Sequence, residues 1–597
     1  MPGRPNKLSR FWQELKRRRV IHVITVYASA AFVIIELVNN LAEPLNLPPV
    51  LPTIVIIVLA VGFPLAIIFS WIYDLTPEGM ERTKPLDEIQ KTEKSSVPNA
   101  WKIATYVSFV VIVGLVTNNI VKGTRGLRPV DIQSLAILPI DNLTGDDQLD
   151  WASAAMHSFL NGDMGKVGGL RVLSNTTSNA LKEANISAAD IAEKYNLDAL
   201  VEGTLTCYGD MVCIQFRAIS TYPEEKQLWV EDYMIDKSQI LSLNGRVIKN
   251  IAQKMKVKLT KKEEILLAET KTVDPEAYDA YLGGIYLLDQ MNPQSLHAAI
   301  DSFEKAIEIE PEWAAPHAGI ASSGARMRQM GIASESDVIM MYEKLNKALE
   351  LDPSSAESHS VRAGIAAWTE FDWKTAEEEF LKAIEVNPSH ASSHIFYAHV
   401  LSILRRTDEA LYHGKIAQEL DPENPFMFGL YVVVLLHAEK CQEALDNMEK
   451  ALTIDPDHYF LRDGLKGIYE CLGDYEKAFE VWKGGINRTL WEEYGVTELF
   501  EKVFRERGWI AVVEEAIRVN EEVWAKDGRM DLMGQAGRYV RVGKYDRAMD
   551  YYEKIYENNN RNPNLPYMSN KHTYDKMKGN PRYLAFLEKL NLPVSDE

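Results

Sequence analysis

The sequence predicts a multidomain chain: N-terminal transmembrane helices, then a small α/β domain, then an all-α solenoid. Three observations predict it. Long apolar runs crowd the first 124 residues, strand-like and helix-like segments alternate over 131–265, and prolines recur at near-constant spacing from 275 onward. A length of 597 residues calls for more than one folded unit, and 25% charged residues argue against global disorder. Lys+Arg number 65 against Asp+Glu 85, a net charge of −20, which excludes a generally basic nucleic-acid binder. Four Cys are too few for a disulfide-built scaffold.

The membrane region is read at 1–124, with helices about 20–38, 53–73 and 103–121. A bilayer core takes about 20 apolar residues in a helix. The first run holds one acid, Glu36, near its end; the second has none but carries Pro64; the third is diluted by Thr105, Ser108, Thr117, Asn118 and Asn119. Arg4, Lys7, Arg10 and Lys16–Arg19 precede the first run, the loop 39–52 has no Lys or Arg, and the loop 74–102 has Arg82, Lys84, Lys91, Lys94 and Lys102. By the positive-inside rule the N-terminus is cytoplasmic and the region after a third span is outside. The expected location is a bacterial inner membrane, contacting the lipid bilayer, with the soluble C-terminal region periplasmic.

In 131–265, Ser134–Ile140 and Leu170–Ser174 read as buried strands, and 152–165 and 187–195 as helices. Leu200–Tyr208 and Met211–Thr221 flank Gly209-Asp210, a hairpin signal; Leu228–Ile235 adds a strand and Ile240–Lys258 has helical period. The pattern predicts a mixed sheet with helices packed on it. Cys207 and Cys213 flank the turn symmetrically and stand as a possible disulfide, which requires a three-residue loop register and an oxidising compartment. Cys441 and Cys471 read as buried small apolar groups. Asp141, Asn142 and Asp146 read as turn formers rather than a cation site. Gly165, Gly168 and Gly169 precede a strand and lack phosphate-loop spacing.

The segments Ala136–Gly145, Gly169–Ser174, Leu200–Gly203 and Leu228-Trp229, in that order, resemble the TolB N-terminal-like domain of bacterial multidomain proteins. The opening, with Glu14–Arg18, two apolar runs and Asp74–Gly79, resembles the membrane module of bacterial repeat proteins of this layout. The resemblance implies an α/β domain placed before repeats, in chains that also carry cyclase, kinase or DNA-binding effectors.

Pro275, Pro311, Pro353, Pro388, Pro422 and Pro456 are separated by 36, 42, 35, 34 and 34 residues. A period near 34 with helical patterning identifies tetratricopeptide-like repeats over 272–490. Ala recurs 12 and 5 residues before the proline in four units: Ala299/Ala306, Ala376/Ala383, Ala410/Ala417 and Ala444/Ala451. Small residues there let paired helices approach, and Phe303 and Phe380 fill the space between. Gly473–Ala478 and Gly543–Ala548 resemble the family's turn and second-helix start. Residues 491–597 read as a degenerate helical repeat and C-terminal cap. Stacked pairs bury a continuous core and curve, with the first helix of each pair lining the concave wall. The family's groove positions fall on Asp279, Tyr286, Ser392, His399, Phe426, Val433, Phe460, Asp463 and Glu470. His317, His359 and His394 each lie six residues after a proline and read as repeated packing, not as metal ligands.

No metal or cofactor is expected. The chain has no phosphate loop, His-Glu-x-x-His, Gly-x-Ser-x-Gly or kinase signature set, so no catalysis is expected. The function expected is a membrane-anchored scaffold or sensor that binds protein partners through the α/β and repeat regions. The alternatives are the regulatory part of a cyclase- or kinase-related signalling system, or a self-assembling envelope component.

Overall fold

The computed structural model describes residues 20–42, parts of 55–82 and, apart from short stretches, 132–595. It divides into two compact units, Met1–Pro129 and Val130–Glu597.

In the first unit, α1 spans Val20–Ala42, and β1 (Tyr73–Thr76) pairs antiparallel with β2 (Gly79–Arg82). The Tyr27 hydroxyl donates to Leu59 O at 2.8 Å, and its ring lies 5.5 Å from Phe63. The expected membrane spans are corrected here: no helix among the described residues is long and apolar enough to cross a membrane. His22, Thr25, Ser29, Glu36, Asn39 and Asn40 interrupt the apolar content of α1. The second run contains Pro64 and gives way to a strand at Tyr73. The third run lies outside the described residues.

The second unit opens with a mixed sheet of order β5-β3-β6-β7-β8, with β4 also paired to β6. Its elements in chain order are β3 (Ser134–Ile137), β4 (Asp141–Asn142), α2 (Asp150–Met164), β5 (Arg171–Val172), α3 (Asn175–Glu183), α4 (Ala188–Tyr195), β6 (Ala199–Tyr208), β7 (Met211–Ser220), β8 (Lys226–Asp236) and α5 (Asn244–Lys254). Strands β3, β5 and β6 run parallel; β6, β7 and β8 form an antiparallel meander. Period-2 alternation assigns the faces. Leu135, Ile137, Ala199 and Val201 pack with Met156 and Leu160 of α2 and Val247 and Ile251 of α5. Ala136 and Leu200 pack on the other face, with Leu181 of α3 and Ile191 of α4.

The β6–β7 register corrects the candidate Cys207–Cys213 disulfide. Cys207 lies opposite Val212 and Cys213 opposite Thr206, so the two cysteines sit on opposite faces of the sheet. The ladder runs to Tyr208 opposite Met211, leaving two intervening residues rather than three. Cys213 is a free thiol, and the disulfide joins Cys441 to Cys471. Their reading as buried small apolar groups is corrected accordingly.

Beyond the sheet the described residues form eight helix pairs: α6 (Pro275–Asp289) with α7 (Pro293–Ile309), α8 (Ala314–Gln329) with α9 (Glu335–Leu351), α10 (Ala356–Ile365) with α11 (Trp373–Val386), α12 (Ala391–Ile403) with α13 (Thr407–Leu420), α14 (Pro425–His437) with α15 (Cys441–Ile454), α16 (Tyr459–Leu472) with α17 (Tyr475–Gly484), α18 (Thr497–Arg507) with α19 (Trp509–Val519), and α20 (Leu532–Arg541) with α21 (Tyr545–Glu557). This stack is a tetratricopeptide solenoid. Each Ala of the four pairs read from the sequence is buried at the helix crossings. The Phe303 ring is wedged so closely that a Cβ on Gly284 or Gly319 would come within 2.5 or 2.6 Å of it. The three recurrent histidines repeat one bond: His317, His359 and His394 reach the carbonyls of Pro311, Pro353 and Pro388 through Nε2 at 3.1, 2.9 and 3.1 Å. Each pins the loop that enters its repeat to its own first helix.

The chain then folds back. Helices α22 (Lys571–Met577) and α23 (Pro581–Lys589) pack along the turns between first and second helices. The Trp373 indole donates to Leu590 O at 2.8 Å, Asn591 donates to Phe371 O at 3.2 Å, and Arg405 donates to Pro593 O at 2.8 Å while its guanidinium covers the Tyr574 ring. On the opposite edge, the α/β domain grips the loops between repeats.

Candidate functional site

The grip begins with Asp421, a carboxylate only 4% exposed. It accepts from the hydroxyls of Ser174 and Thr177 at the start of α3, and from Asn424 Nδ2 at 2.8 Å. A helix N-terminus leaves backbone donors unsatisfied and favours negative charge. Ser174 Oγ caps the helix by accepting from Thr177 N at 3.0 Å, and the solenoid's Asp421 places an anion beside that N-terminus. One loop earlier, Ser389 Oγ accepts from Val172 N at 3.1 Å and donates to Leu170 O at 3.2 Å, continuing the exposed edge of β5. Outside these, Lys194 and the Tyr195 hydroxyl both meet Glu423, and Arg171 donates to Glu419 O. Burial and the Glu423 hydrogen bond push the Tyr195 phenol up to about 12.

Inside this seam lies a cavity of about 240 Å³. The α/β domain contributes Asn161 from α2 and Asn175 from α3; the solenoid contributes Arg326, His390, Ser392 and Phe426. A smaller cavity of about 110 Å³ shares Arg326, His390, Ser392 and Phe396 and adds Arg328, Glu357 and Trp368. Trp368 is carried by a π-helical turn, Ala366–Glu370, between α10 and α11. Such turns add one residue to the helix and reorient the side chains after it. His390 Nε2 lies 3.3 Å from Glu357 and Nδ1 lies 2.6 Å from Ser393 Oγ. Burial works to raise the Glu357 carboxyl, but the His390 hydrogen bond and the charges of His390 and Arg326 outweigh it and hold it below the usual carboxylate range. Two side-chain atoms of residues that line the larger cavity, Asn161 Nδ2 and Asn175 Oδ1, are themselves buried and without a hydrogen-bond partner among the described residues.

The residues expected to line a groove do not share one environment. Ser392 and Phe426 line the seam cavity. His399 and Glu470 are taken up in packing. His399 Nε2 donates to Leu430 O at 3.0 Å, so its Nδ1 accepts from the Tyr567 hydroxyl at 2.8 Å. Burial lowers its pKa to about 4, against a smaller opposing effect of the Leu430 carbonyl. Glu470 accepts from Trp509 Nε1 at 3.1 Å and from Arg541 at 2.8 Å. Asp279 and Tyr286, seven residues apart on α6, are exposed, Tyr286 at 70%. Val433 is half-buried on α14. Phe460 and Asp463 lie on α16, and their side chains fall outside the described set. Among the described residues, no group of three His, Cys, Asp or Glu side chains is placed to hold a metal ion.

Sequence reasoning missed Asn161, Asn175, Arg326, Glu357 and Trp368. His390 and His394 lie four residues apart in the sequence, but the two diverge. His390 faces the cavity, whereas His394 Nδ1 bonds His413 at 2.9 Å.

No family model matches the chain. A curated relative, "Putative adenylate cyclase 3" of Rhizobium meliloti (strain 1021), is 25% identical over 237 residues, covering 39% of this chain and 40% of the relative. The chain therefore spans less than half the length of that relative. Among solved structures, a thermophilic TPR protein of Thermus thermophilus is 20% identical and covers 33% of this chain and 98% of its own, with a TM-score of 0.27. Pseudomonas aeruginosa pilF is 20% identical over 40% of this chain and 92% of its own, TM-score 0.24. Human IFIT1, solved with m7Gppp-AAAA, is 16% identical over 53% of this chain and 77% of its own, TM-score 0.33.

Proposed function

We propose that the chain is a non-catalytic docking protein whose solenoid holds a protein partner on the exposed first-helix face of its opening repeat. One observation carries the reading. Groove positions in the later repeats are engaged by the chain's own residues, His399 by Tyr567 and Glu470 by Trp509 and Arg541, whereas Asp279 and Tyr286 on α6 stand exposed. An exposed tyrosine on a rigid helix supplies contact area with little loss of side-chain freedom. The resemblance of 131–265 to TolB N-terminal-like domains supports a second contact surface in the same assembly. The Cys441–Cys471 disulfide supports an oxidising, extracytoplasmic setting for the repeats.

A second reading is favoured by the match to the Rhizobium meliloti protein, whose name is that of a cyclase. On that reading the matched part is the regulatory portion of a signalling system, and docking transmits the signal.

The test is photo-crosslinking in cells, with a benzophenone amino acid at 286 or at 412, an exposed position on α13. A discrete adduct from 286 and none from 412 is expected. Equal labelling from both sites, or an adduct with the mass of two copies of this chain, refutes docking of a different protein on α6.

A further inference from the structure

We infer that the open edge of β8 binds an extended, basic segment of a partner protein by adding it to the sheet as a further strand. The inference rests on the docking reading only in taking the α/β domain as a second contact surface, and it uses none of the α6 residues.

β8 ends the sheet order β5-β3-β6-β7-β8, and among the described residues no strand lies beyond it. It is 11 residues long, and 229–235 pairs with β7 without a break; the register shift, at Ala218/Ile219, falls before that stretch. Such an edge is a template for another chain unless proline or lysine blunts it, and 227–235 holds neither. The ladder fixes where its backbone groups point. Leu138 N and Leu143 N donate to Val201 O and Leu205 O, both at 2.8 Å, so the odd-numbered residues of β6 face β3 and β4 and the even-numbered ones face β7. Those even residues meet Cys213, Gln215 and Arg217, which turns Val212, Ile214, Phe216 and Ala218 toward β8, opposite Ile235, Tyr233, Glu231 and Trp229. Val230, Asp232 and Met234 therefore aim their N–H and C=O groups away from the sheet. Their side chains share the exposed face, Val230 at 38% and Met234 at 56%. Strand addition needs both features: ladder bonds give affinity, and alternate side chains give specificity.

The side chains choose the occupant. Glu231 points to the other face, where Trp229 Nε1 donates to it at 2.9 Å and Asn250 Nδ2 at 3.1 Å. Asp232 stands exposed between the two apolar residues and accepts from Gln215 Nε2 at 2.7 Å, while Arg217 on the same face is paired with Glu202. A strand that fits this row carries a base opposite Asp232 and apolar residues opposite Val230 and Met234. A second copy of β8 does not fit. Full antiparallel overlap of 229–235 sets Val230 opposite Met234 but Asp232 opposite Asp232, and like charges directly opposite destabilise a pair. Moving the centre to Glu231 sets Glu231 opposite itself. The occupant is a different chain.

The experiment measures binding of a labelled, end-capped peptide, Thr-Val-Thr-Lys-Thr-Val-Thr, to the full chain by fluorescence anisotropy, with amide exchange as the structural readout. Saturable binding is expected, with exchange at Val230, Asp232 and Met234 slowed at least tenfold. Glutamate in place of the peptide's lysine should weaken binding about fivefold or more. N-methylation of its valine and lysine amides keeps every side chain, removes the ladder donors and should abolish binding. Asp232→Lys should reverse the preference between the lysine and glutamate peptides. Val230→Pro removes an outward N–H, leaves the β7 ladder intact and should abolish binding. Protection over 199–220 reports whether that variant folds; if it does not, Asp232→Lys decides. No saturable binding, equal binding of the glutamate or N-methylated peptide, or a dimer of the chain that protects the same three amides overturns the proposal. The crosslink from position 286 is read separately, so loss of either result leaves the other standing.

Discussion

Gly319→Ala should destabilise the second repeat, although alanine is the better helix former. Gly319 sits on α8 and faces the Phe303 ring of α7, which is fully buried. A methyl at 319 would lie 2.6, 2.7 and 2.8 Å from three ring carbons. Optimal carbon–carbon separation is about 3.5–4.0 Å, so the ring must retreat by about 1 Å. It has nowhere to go, because on its other side a Cβ at Gly284 would already lie 2.5 Å from it. Overpacking of this kind costs about 1–3 kcal/mol, and the gain in helix propensity returns about 1 kcal/mol. The net expectation is about 0–2 kcal/mol of destabilisation, toward the upper end because the ring is blocked on both sides. Native-state amide exchange over 293–329 reads it locally, where about 1.4 kcal/mol is a tenfold faster rate. Two further variants sharpen the test. Gly283→Ala, on the exposed face of α6 with nothing within 4 Å of the new methyl, should be neutral or stabilising. Phe303→Leu makes room, so its combination with Gly319→Ala should cost less than the sum of the two by about 1 kcal/mol. Additive costs, or a stabilising Gly319→Ala, would refute the wedge.

The acid limb of stability should be set by buried histidines. Burial lowers His399 and His157 to about 4 and His437 to about 3, from 6.5, so the unfolded chain takes up protons first as pH falls. Their contribution is complete above about pH 6.5 and is lost between there and about pH 4 for His399 and His157, and about pH 3 for His437; His399 alone accounts for up to about 3 kcal/mol, and His399→Gln should flatten urea midpoints between about pH 6.5 and 4. Asp421→Ala strands the hydroxyls of Ser174 and Thr177 and should cost about 2–3 kcal/mol, seen as faster exchange over 175–183 with repeats 275–351 unchanged. Without reductant, iodoacetamide should label Cys213 and spare Cys441 and Cys471; reducing that disulfide, whose partners are 30 residues apart, should lower stability by about 3–4 kcal/mol.

What the sequence showed was what is local and periodic. The Ala299/Ala306 pairing and the proline spacing state helix-pair contacts directly, because both partners lie within one turn–helix unit. The strands were legible for the same reason: alternation alone delimits Met211–Thr221, and the strand runs Met211–Ser220. The seam was not legible. Ser174 and Asp421 are 247 residues apart, and a serine at a helix start and an aspartate in a turn each have an ordinary local explanation. The Cys207–Cys213 pairing failed because symmetry about a turn does not fix register. The expected membrane spans fail among the described residues, where no helix is long and apolar enough to cross a membrane, and the third run lies outside them.

The C-terminal fold-back decides where a partner can bind. A ligand laid along the inner wall of α12 and α14 would have to displace Tyr567, whose hydroxyl is donated to His399 Nδ1. That imidazole is 3% exposed and already bound through Nε2 to Leu430 O, so removal of Tyr567 leaves a buried acceptor without a donor, at a cost of about 1–3 kcal/mol. The loss does not stop there, because Tyr567 belongs to a segment also held by the Trp373 indole on Leu590 O, by Arg405 on Pro593 O, and by the Tyr583 hydroxyl on Met568 O. Lifting one residue breaks a cooperative set. The face of α6 that carries Asp279 and Tyr286, by contrast, is open without displacement. Tyr567→Phe separates the two cases: it removes only the hydroxyl, so it should loosen the segment over 563–595 in amide exchange while leaving crosslinking from position 286 intact. If the variant instead abolishes the 286 adduct, the partner sits in the inner groove and the docking face has been assigned to the wrong helix.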